Sequence, residues 1–128
     1  MRLLLDTHVF LWINLEPEKC SEPVLRLCRQ PETDLLLSMV SVWEIQIKHQ
    51  LGKLPLAVSL RQLLETNQAD YGLQLLPIQP DHVYALSTLP DHHRDPFDRL
   101  LIAQAQTESL PLVTVDRNIG RYAISTIW

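Results

Sequence analysis

Four carboxylates are the residues of this chain whose types and settings can do chemistry. Asp6 directly follows the apolar run Leu3-Leu4-Leu5, and Asp116 directly follows Val113-Thr114-Val115. Glu44 falls three residues after Ser41, and Asp98 closes the segment Asp95-Pro96-Phe97-Asp98. Carboxylates gathered within a few ångströms repel one another, and a helix N-terminus relieves only about 0.3–1 kcal/mol of that, so a cation is needed among them. Oxygen donors select a hard ion, which makes Mg²⁺ the natural occupant and Mn²⁺ the alternative. Such an ion lowers the pKa of water, polarises a phosphoryl oxygen and stabilises a leaving oxygen, which is the equipment for hydrolysing a phosphodiester.

Each acid also has a purely local explanation. Asp95, Pro96 and Asp98 fit the N-cap, first and third positions of a helix, and Ser41 with Glu44 fits a capping box. Asp6 and Asp116, standing just after strands, can cap whatever helix follows. Around the acids, Lys48, Arg94, Arg99, Arg117 and Arg121 are candidates for holding a nucleic-acid backbone, with Arg94 and Arg99 favoured because they flank the Asp95–Asp98 run. His92 and His93 are expected to be exposed loop residues and not ligands. Trp12, Trp43 and Trp128 are candidates for stacking on bases, but Trp12 and Trp43, at helical spacing with aliphatic residues, are expected in the core. Thr7, Ser38 and Thr114 lie beside the acids, where a hydroxyl either orients a carboxylate or caps a helix.

The elements that position these residues follow from the apolar pattern. Leu3–Leu5, Leu35–Leu37, Leu73–Leu76 and Leu112–Val115 are short apolar runs of the kind found in strands buried on both faces of a parallel sheet. Helical spacing links Val9, Trp12 and Ile13; Val42, Ile45 and His49; Leu60, Leu63 and Leu64; and Phe97, Leu100, Leu101 and Gln104. Alternating strands and helices with long crossovers predict a three-layer α/β/α sandwich around a central, mainly parallel sheet. In such sheets ligands gather beyond the carboxyl ends of the strands, which is where Asp6 and Asp116 fall. A chain of 128 residues without an internal repeat is expected to form one domain over residues 1–128.

Composition removes other classes of function. The longest stretch free of Asp, Glu, Lys and Arg, Tyr71 to Pro80, is far short of the roughly 18 residues that a membrane span needs. Asp6 interrupts the N-terminal leucines before a secretory signal is reached. Only Gly52, Gly72 and Gly120 occur, each where a turn or helix stop is expected, so no glycine-rich phosphate-binding loop is available. Neither a Gly-x-Ser-x-Gly elbow nor a His-Glu-x-x-His helix is present. A net charge of −4 argues against coating nucleic acid through bulk positive charge, yet leaves room for a small acidic catalytic hollow. Cys20 and Cys28, if both lay on one helix, would stand about 12 Å apart, too far to pair, so reduced buried thiols and a cytoplasmic location are expected.

Taken together, Leu4-Leu5-Asp6-Thr7-His8, Ser41-Val42-Trp43-Glu44-Ile45, His93-Arg94-Asp95-Pro96-Phe97-Asp98-Arg99-Leu100-Leu101-Ile102-Ala103 and Val113-Thr114-Val115-Asp116 resemble the PIN-domain ribonucleases, and among them the VapC-type toxins of type II toxin–antitoxin pairs. The likeness runs through essentially the whole chain. It implies a Mg²⁺-dependent endoribonuclease with Asp6, Glu44, Asp98 and Asp116 at the family's four acidic positions. By the same resemblance Asp6 and Asp98 most directly hold the metal, while Glu44 and Asp116 complete the pocket. Asp95 is an additional acid, and Arg99 stands where many members carry a small residue, beside the pocket. The resemblance further implies an RNA substrate such as tRNA or rRNA, a homodimer, and a small antitoxin whose C-terminal segment obstructs the acidic site. Two related architectures fit less well: a receiver domain needs a late lysine, and the last one here is Lys53; a dehalogenase-type phosphatase needs a second Asp where His8 stands. A non-catalytic RNA- or protein-binding adaptor, its acids serving as helix caps, is the alternative reading.

Overall fold

The computed structural model describes residues 1–128. Five strands, β1 (Arg2–Leu5), β2 (Asp34–Ser38), β3 (Gln74–Leu76), β4 (Leu112–Val113) and β5 (Thr126–Ile127), form one sheet in the order β3-β2-β1-β4-β5. Every neighbouring pair is parallel, with Leu4 opposite both Leu36 and Leu112. The crossovers are built from α1 (Thr7–Leu15), α2 (Glu22–Cys28), α3 (Met39–Gln50), α4 (Leu60–Tyr71), α5 (Pro80–Ala85) and α6 (Pro96–Thr107).

Two-residue alternation in the leucine strands sorts their side chains onto opposite faces. Leu3, Leu5, Leu35 and Leu37 pack with Phe10 of α1, Val24 of α2, Ile45 of α3 and Leu63 of α4. Leu4, Leu36, Leu76 and Leu112 pack on the other side with Leu101, Ile102 and Ala105 of α6 and with Ile119 and Tyr122 beyond β4. The sheet is therefore covered on both faces, and the three-layer arrangement expected from the sequence is the one observed, with a sheet that is parallel throughout. From β1 the chain steps outward to β2 and β3, then returns across β1 to β4. The carboxyl ends of β1 and β4 consequently flank the point where strand order reverses, the place where an open parallel sheet leaves a crevice.

Several elements differ from the sequence expectation. The fourth strand stops at Val113, two residues short of the apolar run, while β5, α2 and α5 are not marked by that pattern. Helix α3 begins at Met39, not near Ser41, because Ser38 is its N-cap and accepts the Val40 N–H at 3.0 Å. No single helix holds both cysteines: Cys20 precedes α2 and Cys28 ends it, and both thiols are free and buried. Gly72 does end α4, in a left-handed conformation at φ 64° that favours glycine, and Gly52 turns the chain after α3 at φ 71°.

One buried polar network sets the start of α3. The Ser38 hydroxyl donates to Gln104 Oε1, and Gln104 Nε2 donates to the Pro77 carbonyl at 3.2 Å and lies 3.3 Å from His82 Nδ1. Ser38 and Gln104 are both fully out of water, so removing one partner strands the others. We therefore expect Gln104→Leu to lower stability by about 1–3 kcal/mol in urea unfolding, at an unchanged m-value. A cost below about 0.5 kcal/mol would show that the network has no net stabilising role.

Candidate active site

Asp6 directly follows β1 and occupies the N-cap position of α1, but its side chain makes no capping hydrogen bond. It is 5% exposed. Its Oδ2 accepts a hydrogen bond from Thr114 Oγ1 at 2.7 Å, whereas Oδ1 is buried with no hydrogen-bond partner. Burial pushes the Asp6 carboxyl above its ordinary pKa, the Thr114 bond and His8 pull it down, and the Glu44 charge raises it again. Thr114 also accepts the Asp116 N–H at 3.1 Å, so one hydroxyl ties the acid after β1 to the acid after β4.

Glu44 lies in the second turn of α3 and is 3% exposed. Because α3 starts two residues before Ser41, the capping-box explanation for Ser41 and Glu44 is overturned. Ser41 instead accepts a 2.7 Å hydrogen bond from Thr7 Oγ1, locking the first turn of α1 to that of α3 and so fixing Glu44 relative to Asp6. Lys48, one turn further on, places Nζ 2.5 Å from Glu44 Oε2.

Asp95 does cap α6, its Oδ1 accepting the N–H groups of Phe97 at 2.8 Å and Asp98 at 3.2 Å, with Pro96 in the first turn. That leaves the Asp98 carboxylate free to face the other acids. Asp98 is pushed up to about 7 by burial and by the charges of Asp6, Asp95 and Glu44, with His93 acting in the opposite direction. His93 corrects the expectation of an exposed loop histidine. Its Nε2 lies 3.2 Å from Asp98 Oδ2 and 3.1 Å from Asp116 Oδ2, and the three residues bring one potential ligand atom each to within 4.8 Å of one another. His93 Nδ1 accepts the Asp95 N–H at 3.3 Å, which assigns the proton of the neutral ring to Nε2, facing the two carboxylates. No spacing in the sequence joins His93 to Asp116, since the contact is made by two loops that meet only in the fold.

The cations divide into two groups. The guanidinium of Arg99 donates to the carbonyls of Pro90 at 3.0 Å, His93 at 3.3 Å and Leu89 at 3.4 Å, so it clamps the loop that carries His93. Arg94, Arg117 and Arg121 are exposed and form no ion pair. Among the tryptophans, Trp12 is half-buried against the core, but Trp43 is 56% exposed and meets Phe97 edge-on at 5.1 Å. The core expectation for Trp43 fails because the buried stripe of α3 runs through Val40, Ser41, Glu44 and Ile45, and residue 43 lies off it.

The raised Asp98 pKa has a consequence for the metal-free protein. Between the ordinary value of 3.8 and about 7, an unfolded chain has released this proton while the folded chain still holds it, so stability falls as pH rises through that window and levels off above it. In EDTA, Asp98→Asn should melt with wild type near pH 4 and several degrees above it at pH 8, since each unit by which the carboxyl pKa is raised corresponds to about 1.4 kcal/mol. A variant that melts lower than wild type at pH 8 would mean that the carboxylate is there to stabilise α6.

Comparison with known proteins identifies the family and the fold. A sequence profile of the PIN domain matches residues 3–125. The chain is 27% identical over 118 residues to the ribonuclease VapC22 of Mycobacterium tuberculosis, covering 91% of this chain and 88% of that protein. In fold it is similar to VapBC2 from Rickettsia felis, in a crystal structure with a DNA fragment from the promoter, at a TM-score of 0.73 and 16% identity over 99% of this chain and 98% of the other. It is also similar to VapBC-5 from Mycobacterium tuberculosis, a member of the VapBC family of toxin–antitoxin systems, at a TM-score of 0.59 and 20% identity over 98% and 95% of the two chains. With a profile match spanning nearly every residue, and with acids at the switch point of a parallel sheet, the chain belongs to the PIN-domain family.

Proposed function

We propose that this PIN domain is a Mg²⁺-dependent endoribonuclease acting as the toxin of a toxin–antitoxin pair, with residues 1–128 working as one catalytic unit. The observation that carries the reading is the Oδ1 atom of Asp6, a buried carboxylate oxygen left without a donor beside a second acid whose pKa is raised by burial and by the Asp6 charge. A buried anion in that condition is stabilised by a cation, and the surrounding donors, mostly carboxylate oxygens, suit Mg²⁺, with Mn²⁺ also accommodated near the imidazole of His93. Asp6 and Asp98 are the residues that would hold the ion. When bound, it supplies charge neutralisation for the scissile phosphate and a lowered pKa for water.

The chain's own groups set the remaining steps. Glu44 and Asp116 orient the attacking water by accepting its hydrogen bonds, Lys48 holds Glu44 through their 2.5 Å ion pair, and His93 holds Asp116 in place through Nε2. Water oxygen attacks phosphorus as its proton passes to one of these two carboxylates, the bond to the leaving ribose oxygen breaks with its electron pair on that oxygen, which takes up a proton from solvent, and the carboxylate then returns its own proton to solvent. Arg94, exposed beside the site, holds a flanking phosphate. Arg99, committed to loop carbonyls, acts on substrate choice by shaping the loop.

The adaptor reading requires the acids to be helix caps. Asp95 meets that description, but Asp6 makes no cap bond and Glu44 lies beyond the first turn, which favours the enzyme. Similarity to VapBC proteins supports an antitoxin partner covering the acidic hollow, and a homodimer is proposed on the family resemblance. No helix is long and apolar enough to cross a membrane, and the free buried cysteines favour the cytoplasm, where tRNA and rRNA are the available substrates.

The test incubates the purified chain with labelled tRNA and rRNA, with Mg²⁺ or with EDTA, beside Asp6→Asn. Cleavage should need Mg²⁺ and fall by about 100-fold or more in the variant, the scale on which loss of a catalytic electrostatic group is felt. Equal cutting by the variant, or cutting that survives EDTA, would assign the activity to a contaminant.

A further inference from the structure

A second hollow adjoins the acids and shares Asp116 and Thr114 with them. It is about 540 Å³, within the roughly 300–1,000 Å³ typical of ligand sites, and Arg117, Arg121, Thr126 and Trp128 line the rest of it. Neither arginine has an ionic partner, although the chain as a whole carries a net charge of −4. Both project from a firmly seated segment. Between them Ile119 is fully buried, and after them the buried Tyr122 accepts the His92 N–H at 3.0 Å through its hydroxyl. A short 3-10 turn, Ile119–Arg121, is closed by hydrogen bonds from Arg121 N–H to Asn118 and from Tyr122 N–H to Ile119. Trp128, also lining the hollow, is 39% exposed and meets Trp12 edge-on at 6.0 Å.

We propose that this hollow is the subsite for the nucleotide flanking the scissile phosphate of a single-stranded RNA, with Arg117 and Arg121 on its phosphate and Trp128 stacked on its base. The inference rests on the nuclease reading and names the part of the substrate that the acids do not touch. Two unpaired guanidiniums recognise phosphate oxygens and an exposed indole recognises the face of a base, and the two occur together in nucleotides, whereas an acidic peptide would use only the first. Sharing Asp116 places the subsite one step along the strand from the reacting phosphorus. Because stacking tolerates any base, the subsite sets strandedness more than sequence.

The experiment measures binding of a fluorescein-labelled single-stranded oligoribonucleotide to the full chain in EDTA, by anisotropy over a series of salt concentrations, with folding checked by circular dichroism. Arg117→Gln with Arg121→Gln should weaken binding about tenfold or more and make the salt dependence shallower by about 0.7, the value for the one phosphate that is no longer neutralised. Arg117→Lys with Arg121→Lys should restore the slope. Trp128→Ala should weaken binding by about five- to a hundredfold with the salt slope intact, the signature of a missing stack. Unchanged affinity in the Gln pair or in Trp128→Ala, or competition by polyglutamate as effective as by unlabelled RNA, would overturn the subsite. The same preparations are assayed for cleavage with Mg²⁺. Cutting by wild type with unaltered binding in the variants sinks the subsite alone, whereas binding that depends on both arginines and Trp128 without any cutting sinks the nuclease reading and, with it, the subsite's place beside a scissile phosphate, leaving a site that only binds single-stranded RNA.

Discussion

An ionisable oxygen kept away from both water and a hydrogen-bond donor is the condition around which this molecule is arranged. Leaving such an acceptor unsatisfied costs about 1–3 kcal/mol, and the charges of neighbouring acids add to it. Asp6 tolerates that cost because β1 is the central strand, with Leu3 and Leu5 packed on one side and Leu4 on the other. A close-packed frame cannot relax by turning the carboxylate outward. Thr114 bonds one oxygen of Asp6 and leaves the other bare, so the cost is confined to a single atom.

Keeping several acids near that atom requires ties between elements far apart in the chain. The Thr7–Ser41 hydroxyl pair joins α1 to α3, the Ser38–Gln104 pair joins the end of β2 to α6, and Thr114 joins β4 to β1. All of these contacts are buried, where a neutral hydroxyl or amide is far cheaper to place than another charge. Charged partners, by contrast, stand at the edge: Lys48 reaches Glu44 from a partly exposed position, and His93 reaches Asp98 and Asp116 from a loop clamped by Arg99. The division is physical. Neutral groups fix the geometry inside, and partly exposed bases temper the charge where solvent still helps to screen them.

The leucine strands make the layer order and the location of Asp6 and Asp116 legible in the sequence, because strands buried on both faces leave long apolar runs with polar residues at their ends. Short elements do not announce themselves in that way: β5 is two residues long, and α2 and α5 each bury too narrow a face to show a period. The capping arguments divide according to where helices actually start. Asp95 is legible as a cap because Pro96 marks the first turn, whereas Ser41 imitates one because Ser38, three residues earlier, has the same chemistry and the better position. His93 and Trp43 depart from expectation for opposite reasons. A loop histidine gains a role only when another loop arrives, and a helical tryptophan loses its expected burial when the buried stripe passes one residue away. Whether the four acids act together on a phosphodiester is a question about distances across the fold, which residue types alone suggest but do not fix.

Net charge is a poor guide to what such a surface attracts. At physiological ionic strength, charges farther than about 8 Å are largely screened, so an approaching polyanion responds to the groups it meets locally and not to the total. Here the acids that make the chain negative include Asp6 and Glu44, both almost entirely buried, and Lys48 offsets part of that charge at close range. At the rim stand Arg94, Arg117 and Arg121, exposed and without ionic partners. Burial thus separates the sign of the interior from the sign of its margin. An acidic hollow that repels phosphate when empty can therefore lie within reach of residues that draw a strand toward it, and the −4 total is compatible with a nucleic-acid substrate because the two signs occupy different depths.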